Sequence, residues 1–270
     1  MEQQQGTQEV RRGYFEQLDV RFNQVDETAV NAYVLKVFGW MFFGLLITTL
    51  STMGIIIGIN SSPAFVEFIN TAFNFVLIIF IAQVILVSVI SARVTKMNPF
   101  TAKFLYVLYA ASNGLTVGLV SVLFAAEIGG MGIIGAAFGI TTVSFGVMAL
   151  YGYFTGKDLT RFSSLLRMAL FGLILVMVVN WFLGSDMMGY IISVVGLFIF
   201  LGLVAADTNK IKNHFAQVAL GSSDETNQAM GVRVDQAALA SNLAIVGALM
   251  LYLDFINIFM FVLRLLGRRR

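Results

Sequence analysis

The chain has 270 residues, of which 58% are hydrophobic and 12% are charged, and its formal net charge is +2. About a quarter of the residues of an ordinary soluble domain are charged, so this composition is not typical of a protein dissolved in water. The sequence has no cysteine, one histidine (His214) and scattered basic residues, which disfavours thiolate metal sites, histidine-based catalysis and nucleic-acid partners.

Residues 1–32 are polar and mixed in charge, and we expect them to form a cytoplasmic arm. Within this arm, residues Val10–Val25 are predicted either as a short amphipathic helix on the membrane surface or as a solvated, flexible tail. The arm lacks the short apolar core and small-residue cleavage site of a secretory signal peptide. The first hydrophobic span is therefore expected to remain attached as an anchor.

Residues 33–270 are predicted to form one all-α integral membrane domain, a bundle of seven transmembrane helices. A helix needs about 20 apolar residues to cross a hydrocarbon core about 30 Å thick, and seven stretches reach or approach that length. The predicted spans are Val34–Ile59, Ala72–Ala92, Phe104–Ala126, Gly132–Thr155, Met168–Leu183, Met187–Ala206 and Leu243–Leu266. The fifth is the shortest of them.

Basic residues in the short connectors predict the orientation, because lysine and arginine are retained on the cytoplasmic side. With the N-terminus inside, the inner side holds the basic residues Arg11, Arg12, Arg21, Lys36, Arg93, Lys96, Lys103, Lys157, Arg161, Arg167, Lys210, Lys212 and Arg233. The outer connectors carry Glu67, Glu127 and Asp186 instead. The C-terminal run 268–270 would then emerge outside, unless the last segment enters and returns.

Pairs of glycines at Gly-x-x-x-Gly spacing occur at Gly114/Gly118, Gly135/Gly139 and Gly152/Gly156. Such pairs let helices approach closely. Packing within the bundle is favoured over dimerisation, and the oligomeric state stays open.

Asp254 lies near the middle of the predicted seventh span, where a charged side chain costs roughly 2.5–3.5 kcal/mol on insertion scales. It is therefore a candidate functional residue. The alternative is a protonated, structural Asp254 that hydrogen-bonds Asn257 one turn away. The polar residues Gln83, Asn113, Asn180 and Asn257 also lie at membrane depth, and each is expected to make an interhelical hydrogen bond rather than line a path.

Asp207 ends the predicted sixth span, and its estimated depth differs from that of Asp254 by about 10 Å at 1.5 Å per residue. If the two carboxyl groups meet, they are expected to titrate as a coupled pair. They also offer a weak, hydrated calcium site. Arg93 closes the second span at the level of Asp207, so it is either a partner of that aspartate or an anchor that extends to the headgroups.

Two segments resemble the Bax inhibitor-1 family, also called the transmembrane Bax inhibitor motif family: Ala206–Ile211 (ADTNKI) and, more specifically, Leu251–Phe259 (LYLDFINIF). The resemblance extends from about residue 30 to the end of the chain. It implies a fold in which the other six helices enclose the last, and a calcium leak that depends on the protonation of two aspartates, here Asp207 and Asp254. It also implies that Arg93 acts as a latch on Asp207.

The chain departs from the family pattern at two positions. Ala206 stands where the motif often has tyrosine, and Gln83 stands where some members have a glutamate in the second helix, which puts ion entry and selectivity in doubt. The short loops resemble bacterial members. That resemblance implies an inner-membrane location, with a membrane-bound protease as a possible partner of some members.

The sequence therefore favours a pH-sensitive calcium leak over two alternatives. The first is a non-conducting regulator that uses the arm 1–32 to bind a membrane protease or a stress-response partner. The second is an intramembrane aspartyl protease, which is disfavoured because the usual glycine before the aspartate is missing. We expect neither enzymatic activity nor a bound cofactor, and we expect the partners to be the lipid bilayer and calcium ions.

Overall fold

A computed structural model describes residues 27–128, 131–216 and 236–267 of the chain. Its long elements are the helices α1 Glu27–Ser61, α2 Pro63–Asn74, α3 Val76–Arg93, α4 Pro99–Ile128, α5 Met131–Phe154, α6 Thr160–Leu183, α7 Asp186–Lys210 and α8 Gln236–Gly267. A 3-10 turn (Val94–Lys96) follows α3, and a π-helical turn (Ile211–Phe215) follows α7. The predicted all-α class is confirmed for these residues. Segment Val10–Val25, for which a surface helix and a flexible tail were both considered, lies outside the described residues, as do the C-terminal arginines.

Six of the described helices, namely α1, α4, α5, α6, α7 and α8, are long and apolar enough to cross a membrane. The chain is therefore a multi-pass membrane protein. The second predicted span, Ala72–Ala92, is interrupted at Phe75, so that α2 ends at Asn74 and the shorter apolar helix α3 follows. The predicted number of seven crossing helices is not confirmed.

Three predicted starts lie seven or eight residues inside the helix, because the first turns carry polar or charged residues. The first span was predicted from Val34, but α1 begins at Glu27. The fifth span was predicted from Met168, but α6 begins at Thr160 and has 24 residues. The prediction missed its first turns because they carry the basic residue Arg161. The seventh span was predicted from Leu243, but α8 begins at Gln236 and continues as one helix to Gly267. Within the described residues, this last segment therefore does not turn back.

The last helix occupies the centre of the bundle. In its most apolar window 67% of the residues are buried, whereas the corresponding share is 50% or less in the other five candidate spans. It packs against α1, α4, α5 and α7, while α3 packs on α4 and α6 packs on α7. A helix that is apolar on every side can face lipid or be enclosed by protein, and α8 is enclosed by the helices that it contacts.

Two glycines of the Gly-x-x-x-Gly pairs, Gly114 and Gly152, lie in close contacts between helices inside the bundle. A Cβ on Gly114 would stand 2.7 Å from the Thr48 carbonyl oxygen of α1, and a Cβ on Gly152 would stand 2.1 Å from the Ala205 carbonyl oxygen of α7. Only a residue without a side chain permits such an approach. Gly139, by contrast, faces open space.

Hydrogen bonds join the helices at one end of the bundle. The Asn209 side-chain amide donates to the Lys157 carbonyl oxygen at 3.3 Å, and the Lys212 ammonium donates to the Tyr153 carbonyl oxygen at 3.0 Å. The Asn242 amide donates to the carbonyl oxygens of Val94 and Met97, both at 2.8 Å. We call this the basic end, because its residues include Arg93, Lys96, Lys157, Arg161, Lys210 and Lys212.

Candidate functional site: an aspartate pair inside the bundle

Asp207 and Asp254 are both buried, with 9% and 4% of their surfaces exposed. Asp207 lies in the last turn of α7, which continues to Lys210. Asp254 lies on the central helix α8, so neighbouring helices surround it. Charged side chains are rarely buried this far without a partner, which marks both residues as exceptional.

The two aspartates lie closer in depth than the sequence predicted. α7 and α8 run in opposite directions, and the position of a Cβ on Gly247 of α8 is 3.3 Å from Ile211 at the end of α7. Counting from that contact at 1.5 Å per residue, Asp207 and Asp254 differ in height by about 5 Å. Asp207 accordingly acts on Asp254 as a charged neighbour.

One oxygen of Asp254 has no hydrogen-bond partner among the residues that the structure describes. Its Oδ2 atom is buried and accepts no hydrogen bond from the described residues. Asn257, the partner considered from the sequence, instead donates to the Leu253 carbonyl oxygen at 2.8 Å. A buried, unsatisfied carboxylate oxygen is costly, so this atom is suited to binding a proton or a cation.

The charged neighbours of Asp207 differ from the one that was considered from the sequence. Lys210, on the same helix, and Arg167 of α6 both act electrostatically on Asp207. Arg167 is also held by the Ser163 hydroxyl at 2.6 Å. Arg93 is exposed at the end of α3 and is not among these neighbours. The structure thus gives Asp207 the charged neighbours Lys210 and Arg167, whereas Arg93 is exposed at the end of α3.

A hydroxyl cluster fixes α8 beside Asp254. The Tyr252 hydroxyl lies 2.6 Å from the Thr48 hydroxyl, which in turn donates to the Ala110 carbonyl oxygen at 2.9 Å. Tyr252 is fully buried and packs edge-to-face on Tyr106 and Tyr109. The sequence analysis missed this cluster. Tyr252 lies in the quoted segment Leu251–Phe259, but its partner is 204 positions away in the chain.

A largely apolar cavity of about 530 Å³ lies between α3, α4, α6 and α8, and several of the remaining polar residues line it. Gln83 donates to Ser112 and Thr116 of α4, at 3.0 and 2.9 Å, so its predicted interhelical hydrogen bond is confirmed. The cavity is also lined by Asn113, Asn257 and Arg264. Arg264, which the sequence analysis did not single out, is the basic residue of its lining.

The metal-binding capacity of the site is small. The described residues contain no group of three or more histidine, cysteine or acidic residues that could hold a metal ion. Two carboxylates supply at most about four of the roughly six to eight oxygens that calcium prefers. A calcium ion near Asp207 and Asp254 would therefore keep much of its water and bind weakly.

Comparisons with known proteins place the chain among bacterial membrane proteins. A family model described as inhibitor of apoptosis-promoting Bax1 matches residues 30–270. The inner membrane protein YbhL of Escherichia coli strain K12 is 35% identical over 241 residues, which cover 89% of this chain and 93% of that protein. An uncharacterized protein of Rickettsia prowazekii is 32% identical over 248 residues, covering 92% and 94% of the two chains.

Proposed function

This chain belongs to the Bax inhibitor-1 family, and from that membership we propose that it is a pH-sensitive calcium leak of the inner membrane, gated by Asp207 and Asp254. The observation that carries the proposal is the burial of two carboxyl groups on adjacent, packed helices, one of them with an unsatisfied oxygen. The ion is the transported substrate, and the proposal assigns the chain no enzymatic reaction and no cofactor.

The gate would use repulsion between like charges. A proton shared by the pair removes one negative charge and supplies an O–H donor, so α7 and α8 can stay packed. When the proton leaves, two carboxylates face each other in a medium of low dielectric constant and repel each other strongly. We propose that this repulsion separates the basic-end halves of α7 and α8 and lets a cation approach the aspartates.

The proposed orientation places the basic end in the cytoplasm, because lysine and arginine are retained there. Asp207 then lies near the cytoplasmic face and Asp254 lies deeper in the bundle. Calcium would enter the cytoplasm down its gradient, and a higher cytoplasmic pH would increase the flux.

Calcium flux into liposomes tests the gate. Purified wild-type protein, Asp207→Asn and Asp254→Asn would be compared from about pH 6 to about pH 8. We expect the wild-type flux to rise with pH and both amide variants to lose that dependence. Glu67→Gln is the matched control, because it replaces an exposed carboxylate on α2 and should leave the profile unchanged.

An unchanged pH profile in Asp254→Asn would reject the gate. The absence of any protein-dependent flux would reject conduction and favour the alternative, a regulator that binds a membrane protease or a stress-response partner. In that case, deletion of the arm 1–32 should abolish the cellular effect of the protein.

A further inference from the structure

A long apolar groove runs between α1 and α5 on the outside of the bundle. The cavity that it forms has a volume of about 860 Å³ and is lined by Val34, Phe38 and Leu46 of α1 and by Phe145 and Leu150 of α5. Phe255 of the central helix α8 also lines it. We call this the α1–α5 groove.

The groove extends over most of the depth of a bilayer. From Asn31 to Thr49 along α1 it is about 27 Å long at the rise of an α-helix, close to the hydrocarbon thickness of about 30 Å. A second cavity of about 280 Å³ shares Leu45, Thr49 and Phe138 with it and continues it towards Ile134.

The rims of the groove face outwards. Leu35 and Phe154, one on each side, are 71% and 74% exposed, and Phe42 and Leu150 are also exposed. Because both helices can cross a membrane, the medium beside these residues is lipid. An acyl chain is the occupant whose chemistry fits a long apolar groove of this kind.

Among the described residues, a charged group lies at one end of the groove, beside Tyr153 of its lining. The Tyr153 hydroxyl donates to Asn31 Oδ1 and thereby joins α5 to α1 at the basic end. The Lys212 ammonium lies 4.6 Å from the centre of the Tyr153 ring. It donates to the Tyr153 carbonyl oxygen at 3.0 Å. An ammonium group has three N–H donors, so Lys212 can also donate to an anion at the end of the groove.

We infer that the α1–α5 groove binds an anionic phospholipid of the surrounding bilayer, with one acyl chain in the groove and the phosphate beside Lys212. The charge complementarity at one end of the groove and the apolar lining along the rest carry this inference, which does not depend on ion conduction. The acyl chain would contact Phe255, which packs edge-to-face on Phe138 and Phe145 at 5.6 Å and follows Asp254 on α8. The bound lipid would thus contact the helix that carries the buried aspartate.

Gly146 offers a way to fill the groove. It lines the groove, and a Cβ at this position would meet no atom within 4 Å, so the side chain of a leucine would begin in open space. Gly139 provides the matched control: it lies on the same helix, also faces open space and is absent from the lining of both cavities.

The test is lipid titration of the full chain in detergent micelles, followed by native mass spectrometry. Phosphatidylglycerol and phosphatidylcholine with identical acyl chains are the probes. We expect the wild-type protein to retain one phosphatidylglycerol per chain with clear preference. Gly146→Leu should weaken binding by roughly tenfold, and Lys212→Gln should remove the preference while phosphatidylcholine binding stays the same.

Three results would overturn the inference: equal binding of the two lipids by the wild-type protein, wild-type binding by Gly146→Leu, or an equal loss of binding in Gly139→Leu. A dimer in the wild-type protein that Gly146→Leu dissociates would show that a second copy of the chain occupies the groove, and this too would overturn it. Circular dichroism and thermal unfolding of each variant separate a loss of lipid from a loss of fold.

Discussion

The hydroxyl groups of Tyr252 and Thr48 lie 2.6 Å apart in the interior of the bundle, and they join α8 to α1 two residues before Asp254. Thr48 can accept from Tyr252 while its own proton goes to the Ala110 carbonyl oxygen of α4. Three helices thus meet at one buried threonine. This cluster holds α8 at a fixed height and rotation, which in turn fixes the position of Asp254.

The first prediction concerns this cluster. Tyr252→Phe removes the hydroxyl that hydrogen-bonds to the Thr48 hydroxyl and keeps the ring that packs on Tyr106 and Tyr109. We expect the free energy of unfolding to fall by about 1 kcal/mol, which is typical of one buried hydrogen bond. Reversible unfolding in detergent micelles measures this change.

Tyr151→Phe is the control, because Tyr151 is 53% exposed and should tolerate the substitution. Equal effects of Tyr252→Phe and Tyr151→Phe on the free energy of unfolding would contradict the role given to the cluster.

The second prediction separates the two arginines that have been considered as partners of Asp207. Arg167 acts electrostatically on Asp207 in the structure, so Arg167→Gln should make deprotonation of the pair less favourable. If the aspartates gate the leak, the pH profile of calcium flux should then move to higher pH by a fraction of a unit. Arg93→Gln should leave the profile in place, since Arg93 is exposed and is not a neighbour of Asp207 in this structure.

The opposite result would also be informative. A larger shift for Arg93→Gln than for Arg167→Gln would support the latch that the family resemblance implies, formed in a conformation other than this one. Each variant loses one positive charge, so a difference between their pH profiles reflects the position of the arginine and not the amount of charge removed.

The third prediction concerns the close contact between α5 and α7. Gly152→Ala would place a Cβ 2.1 Å from the Ala205 carbonyl oxygen, so the two helices would have to separate. We expect a loss of about 1–3 kcal/mol in the free energy of unfolding, as for other overpacked sites. Gly156→Ala is the control, because a Cβ on Gly156 meets nothing within 4 Å. Similar unfolding energies for both variants would show that the two helices do not pack closely.

Hydropathy alone predicted the membrane class and the order of the helices, because long apolar stretches leave few other structures. It failed where polar residues are satisfied inside the bundle. Ser241 and Asn242 interrupt the apolar pattern, yet both are buried, and Asn242 donates to the carbonyl oxygens of Val94 and Met97. The start of α8 was consequently predicted several residues too late.

The candidate site was predictable only in part. Asp254 stands out because a carboxyl group within an apolar helix is costly. Its neighbours do not stand out, since helices that are apolar on every side carry no periodicity to show which face meets which partner. Arg167 was counted only as a residue that sets orientation, and Thr48 looked like one of many small polar residues. Their roles depend on contacts between distant parts of the chain.

The central position of α8 also has a consequence for biosynthesis. Residues 236–267 leave the ribosome after those of α1, α4, α5 and α7, although all four of these helices pack against α8. During translation, the earlier helices must therefore enter the bilayer while the Thr48 hydroxyl and the carbonyl groups of Val94 and Met97 still lack their α8 partners. The bundle is therefore complete only when α8 inserts between the helices that were synthesised before it.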